Sequence, residues 1–152
     1  MVYIYVNINV IIHLMKSYKQ GQEDKKSILN EPAVSYTASS YYQLSARSIS
    51  KSYIKQILIL SRLTVFDLIS ILPISIDTYK RKKAFNPAVT EKVLEIEEVY
   101  RKGIEVFGES FHHWMDTENI ALGGTPKSLL NNSFGIRLLL DEIGRLEYGV
   151  LA

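Results

Sequence analysis

The apolar positions of this chain change their period along its length. Val2, Ile4, Val6, Ile8 and Val10 alternate with other residues, the two-residue period of a strand. The run from Val2 to Leu14 is broken by Asn7, Asn9 and His13. It is shorter than the ~20 apolar residues that span a bilayer. It has neither a basic leading region nor a small-residue cleavage site, which argues against a secretory signal. From Lys16 to Glu31 the composition is that of a flexible tail, which makes Met15 a candidate true start beside Met1. Residues 36–43, Tyr-Thr-Ala-Ser-Ser-Tyr-Tyr-Gln, read as a tethering linker.

From Ser50 onward the period is helical. Tyr53, Ile54, Ile57, Leu58 and Leu60 form one stripe over Ser50 to Leu60. Thr64 can cap a second helix carrying Val65, Leu68, Ile69 and Leu72, and Pro73 closes it because proline cannot continue the ladder. Ser75 then caps a third helix, Ile76 to Lys83. Asn86 and Pro87 are an N-cap and a first-turn proline. Val89, Val93, Ile96, Tyr100, Ile104 and Phe107 follow at spacings of 4, 3, 4, 4 and 3, predicting one long helix that ends near Gly108. Ser110 to Met115 reads as a short helix with Phe111, Trp114 and Met115 apolar, and Trp114 is expected to anchor it against the long one. A loop over 117–124 precedes Thr125-Pro126, which start another short helix with Leu129 and Leu130. Ser133 can cap a last helix striped by Ile136, Leu139, Leu140, Ile143 and Leu146, with Gly149 as its stop. The class is all-α. Three parts are expected: an extension and linker over 1–43, a three-helix bundle over 44–86, and a small helical domain over 87–152.

Composition narrows the class further. A chain of 152 residues makes one domain, or two small ones sharing a core. With 47% hydrophobic and 22% charged residues it is a folding sequence, not a disordered one. Cysteine is absent, so disulfides and thiolate zinc sites are excluded, which fits a reducing cytosol. The net charge of +2 is unevenly spread. Residues 44–92 carry nine basic and three acidic groups, whereas 93–152 carry five basic and ten acidic. A polyanion suits the middle, through phosphate neutralisation and counterion release, and a neutral or basic partner suits the end. The plainer alternative is a chance asymmetry on a solvated surface.

Two segments resemble known families. Leu68-Ile69-Ser70-Ile71-Leu72-Pro73-Ile74-Ser75-Ile76-Asp77-Thr78-Tyr79-Lys80-Arg81 resembles the helix-turn-helix of phage-repressor-like (Xre) DNA-binding proteins. That resemblance implies that the second helix braces the third, which lies in the major groove. Its groove-facing positions would be Ile76, Asp77, Lys80, Arg81 and Lys83, with Ile74 and Tyr79 toward the core. Ile69 stands where the family has alanine and Pro73 where it has glycine, so a wider turn is expected. Asp77 is repelled by phosphate yet could accept from a cytosine amino group. The same three helices could equally form a scaffold that touches no DNA.

The second resemblance rests on Val106-Phe107-Gly108, Trp114-Met115, Thr117, Asn119, Ala121-Leu122-Gly123-Gly124, Thr125-Pro126, Leu129-Leu130, Gly135, and Gly144-Arg145-Leu146-Glu147-Tyr148-Gly149-Val150. Their order and spacing resemble the antitoxin Xre/MbcA/ParS toxin-binding domain; Glu118 departs from its proline and Met115 from its leucine. Together the two resemblances cover 64–152. They imply a type II antitoxin that covers the NAD pocket of a RES-domain, NAD-degrading toxin and represses its own operon at operator DNA. They also imply a cytoplasmic homodimer with no cofactor and no membrane association. The toxin contact is expected on the last helix and its tail, at Arg145, Glu147, Tyr148, Val150, Leu151 and Ala152. The inward stripe leaves Arg137, Glu142, Arg145 and Tyr148 to project, and a short apolar chain end can enter a narrow pocket. Alternatively, Arg145 to Gly149 is only a helix stop with Tyr148 packed on the domain.

Other sites are set aside. His112 and His113 are helix neighbours about 100° apart and cannot chelate one ion together. Gly108-Glu109-Ser110 lacks the second glycine of a nucleophile elbow. Gly123-Gly124-Thr125-Pro126 lacks the lysine of a P-loop. Glu147 has no second carboxylate at catalytic spacing in its own helix, so no enzyme is expected. Two rivals remain: a stand-alone helix-turn-helix regulator with no toxin, and a small hydrolase using Ser110 and His113.

Overall fold

A computed structural model describes residues 28–29 and 38–149. The alternating segment at 2–10, the polar tail, both candidate starts and Val150 to Ala152 lie outside the described residues.

The first helix, α1 (Ala38–Ser45), falls on the expected linker. Serines and tyrosines are indifferent helix formers, so local propensity gave no signal. Packing supplies the reason instead: Tyr41 and Leu44, one turn apart, are half-buried against the core, and α1 lies on the long helix.

Three very short strands form one sheet in the order β1 (Ile28–Leu29), β2 (Ser48–Ser50), β3 (Ala84–Phe85). Strand β1 runs parallel to β2, and β2 antiparallel to β3 with Ile49 opposite Phe85. The all-α class holds, and this sheet is a clasp within it. It ties the start of the three-helix segment to its end, and Ile49 and Phe85 are buried beneath it. Two or three residues carry no readable period, so the clasp was invisible in the sequence.

Two of the three helices between the clasped ends start at the expected caps, Thr64 and Ser75; the first starts at Ser50, which the stripe places inside the helix. Helix α2 (Lys51–Ser61) begins at Ser50, whose hydroxyl accepts from the Tyr53 amide at 3.2 Å. Helix α3 (Val65–Ile71) has a capping box: Thr64 Oγ1 accepts from Asp67 N at 3.1 Å, and Asp67 accepts from Thr64 N at 3.2 Å. Helix α4 (Ile76–Arg81) begins at Ser75 and ends two residues earlier than expected.

Helix α5 (Pro87–Phe107) is the axis of the molecule. It packs against α1, α2, β2, α6 (Ser110–Asp116) and α7 (Ser133–Glu147). Two 3-10 turns, Ile120–Leu122 and Pro126–Asn131, connect α6 to α7. The cap of α7 is Asn132 rather than Ser133: Asn132 Oδ1 accepts from Gly135 N at 2.9 Å. Ser133 becomes the first helical residue and donates to Glu95 on α5 at 2.7 Å.

One hydrophobic cluster runs from Ile49 through Leu68, Val93 and Tyr100 to Ile143, so both halves share a core. Two close approaches shape its C-terminal part. A Cβ at Gly103 would lie 2.2 Å from the Phe111 ring, and one at Gly135 would lie 2.0 Å from the Leu129 carbonyl oxygen. Inside the core sits Glu97, fully buried, accepting from Tyr53 Oη at 2.5 Å and Arg101 Nε at 2.6 Å. Among the described residues no helix is long and apolar enough to cross a membrane.

Candidate functional site

The first candidate surface is the C-terminal end of α4. Asp77, Lys80, Arg81 and Lys83 are exposed, together with Lys82. Ile76 is not free as expected: it is half-buried and packed on the core. Tyr79 is buried and stacks on Phe85 with centroids 6.1 Å apart, which fixes the outward phase of α4. Burial also pushes the Tyr79 phenol up from its ordinary pKa. A cation not anticipated from the sequence joins this end: Lys51 Nζ donates to the Lys80 carbonyl at 3.0 Å and stands 4.7 Å from the Tyr79 ring centroid. It satisfies a carbonyl of the last turn, where positive charge also suits the helix dipole. Arg81 Nε reaches back to the Asp77 carbonyl at 3.4 Å.

Pro73 sits exposed in the four-residue connection between α3 and α4, closed by Ile74 N–H donating to Leu72 O at 2.8 Å. Arg62 is the one non-glycine residue with positive φ among those described, so the turn accommodates proline without the glycine geometry.

The second candidate surface lies on α7 and what precedes it. Ile136, Leu139 and Ile143 are buried and Leu140 is half-buried, as the stripe predicts, but Leu146 is exposed. Glu142 does not project: it is buried and pairs with Arg145 at 3.2 Å. Arg145, Glu147 and Tyr148 are exposed. Tyr148 is thus not packed on the domain. Glu147 and Tyr148 line a groove of about 710 Å³ together with Leu60 and, from α5, Glu98, Lys102 and Ile104. Lys102 Nζ is 4.0 Å from Glu147. Partial burial raises the Glu98 carboxyl pKa, Lys102 opposes that rise, and Glu95 adds to it. Gly149, at φ +65°, ends the helix as expected. The contact residues expected at Val150, Leu151 and Ala152 lie outside the described residues.

Trp114 is half-buried rather than enclosed, stacked on Phe107 and Phe111 at 5.8 and 5.5 Å. Tyr100 meets Phe111 edge-on at 5.6 Å. Burial pushes the Tyr100 phenol up, with Asp116 and Asp67 adding to the rise. The loop 117–124 is closed by reciprocal Asn119 and Gly124 backbone bonds and by Asn119 Oδ1 accepting from Ala121 N at 2.9 Å. It carries Ile120 at its tip, 99% exposed. His113 is exposed, whereas His112 is half-buried 5.9 Å from the Tyr100 ring. The stripes count Val65 and Leu146 as apolar positions of the inner face, yet both are exposed. Phe134, which no stripe includes, lies outside the buried phase of α7 and is 80% exposed.

No curated protein matches the chain. Residues 102–149 match the family model of the antitoxin Xre/MbcA/ParS C-terminal toxin-binding domain. The match covers about a third of the chain: the end of α5, then α6, both 3-10 turns and α7 up to Gly149.

Proposed function

We propose, from the match of residues 102–149 to the antitoxin Xre/MbcA/ParS C-terminal toxin-binding domain, that the chain is an antitoxin that neutralises a RES-type, NAD-degrading toxin by covering its active site. The family match is the observation that carries this reading. Its chemistry is binding, not catalysis. The exposed end of α7, with Arg145, Glu147 and Tyr148, offers charge, acceptor and aromatic groups of the kind that dominate interface energetics. Val150, Leu151 and Ala152, outside the described residues, are the remaining contact residues of this reading. The working place of such a pair is the cytoplasm, where NAD is the target.

The same chain binds operator DNA as a homodimer and represses its own operon. Support comes from the α3–turn–α4 arrangement and from the exposed cations Lys80, Arg81 and Lys83 with Lys51 beside them. Two symmetric copies would place two such helices in successive major grooves. That cationic cluster also favours the second reading, a stand-alone regulator with no toxin.

Co-expression separates the two. The adjacent gene product, toxic alone, should be tolerated with this chain and not with a chain lacking residues 147–152. The shortened chain should still retard a fragment of its own promoter. Survival with the shortened chain would place the blocking surface elsewhere, and a harmless neighbour that never co-purifies would favour the stand-alone regulator.

A further inference from the structure

Helix α7 carries a second stripe. Phe134, Leu138, Asp141, Arg145 and the cap residue Tyr148 follow at spacings of 4, 3, 4 and 3, which sets them along one face of the helix. All five are exposed: Phe134 80%, Leu138 45% and Tyr148 78%, with Asp141 and Arg145 also open to solvent. The buried stripe Ile136, Leu139 and Ile143 runs along another face. Single exposed apolar residues are ordinary. A stripe with aromatic groups at both ends, in register over roughly 20 Å of helix, is not. Its first ring is also held in place: the Arg137 guanidinium lies over Phe134, 5.4 Å from the ring centroid.

We infer that this outer stripe is the face by which α7 seats in an apolar groove of the toxin, with Phe134 and Leu138 as anchors. Asp141 and Arg145 then meet groups of opposite charge on the groove's rim. The inference rests on the antitoxin reading and extends its contact from the end of α7 over the whole helix. All five residues lie inside the segment matched to the toxin-binding domain. A second copy of this chain fits the stripe poorly. Asp141 stands at its midpoint, seven residues from each end, so two-fold pairing of the stripe with itself would set Asp141 against its own copy. An apolar groove binding one helix face by anchors one and two turns apart is a recurring mode of recognition.

The test measures binding of the purified adjacent-gene product by calorimetry to four forms of the full chain. These are the wild type, Phe134→Ser/Leu138→Ser, Arg145→Glu, and the control Ile59→Ser, which alters an equally exposed apolar residue on α2 outside the matched segment. Wild type and control should bind alike. The double variant should bind about 30-fold more weakly or worse, and Arg145→Glu should also weaken binding. Wild type, the double variant and the control should melt together, since the altered side chains are exposed. Arg145→Glu sets a second carboxylate beside buried Glu142 and should melt lower, so its binding is measured well below its own melting temperature. Wild-type affinity in the double variant overturns the inference. So does sedimentation showing a wild-type dimer that the double variant converts to monomer, because a second copy would then cover the stripe. Failure of the wild type itself to bind overturns the antitoxin reading and the inference with it.

Discussion

The Tyr53 hydroxyl donates to Glu97 at 2.5 Å, joining α2 to α5 inside the core. Tyr53 belongs to the three-helix segment and Glu97 to the long helix that leads into the toxin-binding match, so this bond crosses from one half of the chain to the other. Arg101 Nε, at 2.6 Å, gives the carboxylate its cationic partner. A buried carboxylate is tolerated only when its acceptor positions are met.

Tyr53→Phe should therefore destabilise the chain by about 1–3 kcal/mol, since it removes one donor from a buried charged acceptor while keeping the ring. Glu97→Ala should cost at least as much, because it opens a cavity in the core and removes the acceptor that Tyr53 and Arg101 share. Urea denaturation followed by far-ultraviolet circular dichroism measures both.

Gly135→Ala should be among the most destabilising single substitutions. Its Cβ meets backbone, the Leu129 carbonyl oxygen at 2.0 Å, and backbone cannot rotate away. Gly103→Ala meets the Phe111 ring at 2.2 Å instead, and the ring is held by its neighbours Tyr100 and Trp114. Overpacking of this kind costs about 1–3 kcal/mol or more. Thermal melting should rank Gly135→Ala below wild type by several degrees, with Gly108→Ala separable because it meets nothing within 4 Å and suffers only its φ of +59°.

Asp67 gives the chain an acid-sensitive contribution. The Thr64 hydroxyl bond lowers its pKa most, desolvation opposes, and the Thr64 amide and Lys127 lower it further. The folded pKa is thus below the ordinary value of 3.8. Its stabilising contribution is fully present above that value and is lost as pH falls through the folded pKa. Asp67→Asn should lower the melting temperature at pH 7, and the difference from wild type should shrink toward zero below the folded pKa. A constant difference across the acid range would contradict the linkage.

DNA retention should depend on the cationic end of α4. Replacing Lys80, Arg81 and Lys83 together by alanine should weaken binding on any sequence and reduce the slope of log affinity against log salt by up to about three. A gel-shift series over salt concentration measures it. An unchanged slope would remove these side chains from the interface.

The long elements were legible because their signals repeat. Six apolar positions spelled α5, and Thr64, Ser75 and Asn86 marked helix starts as N-cap residues. What escaped depends on contacts between distant residues. Helix α1 exists because Tyr41 and Leu44 find the core, not because its residues favour helix. The β2–β3 clasp spans the whole three-helix segment. Glu142 looked exposed because acidic residues usually are, yet its place beside Ile143 on the inner side of α7 buries it against Arg145. The outer stripe failed to register because Phe134 and Leu138 fall off the buried period of α7, and the inner stripe alone says nothing of apolar residues on the opposite face.

Helix α5 has a thermodynamic consequence. It belongs to the cores of both halves, so neither half can unfold without exposing apolar surface of the other. A ligand that binds only the native state raises the stability of everything that unfolds with its site, by RT ln(1 + [L]/Kd). Occupancy of α7 should then slow protease attack as far away as α4. A bound partner at about a hundred times its Kd would add roughly 2.7 kcal/mol against cleavage that requires global unfolding. A partner held on α7 should thus lengthen the life of the whole chain under protease, α4 included.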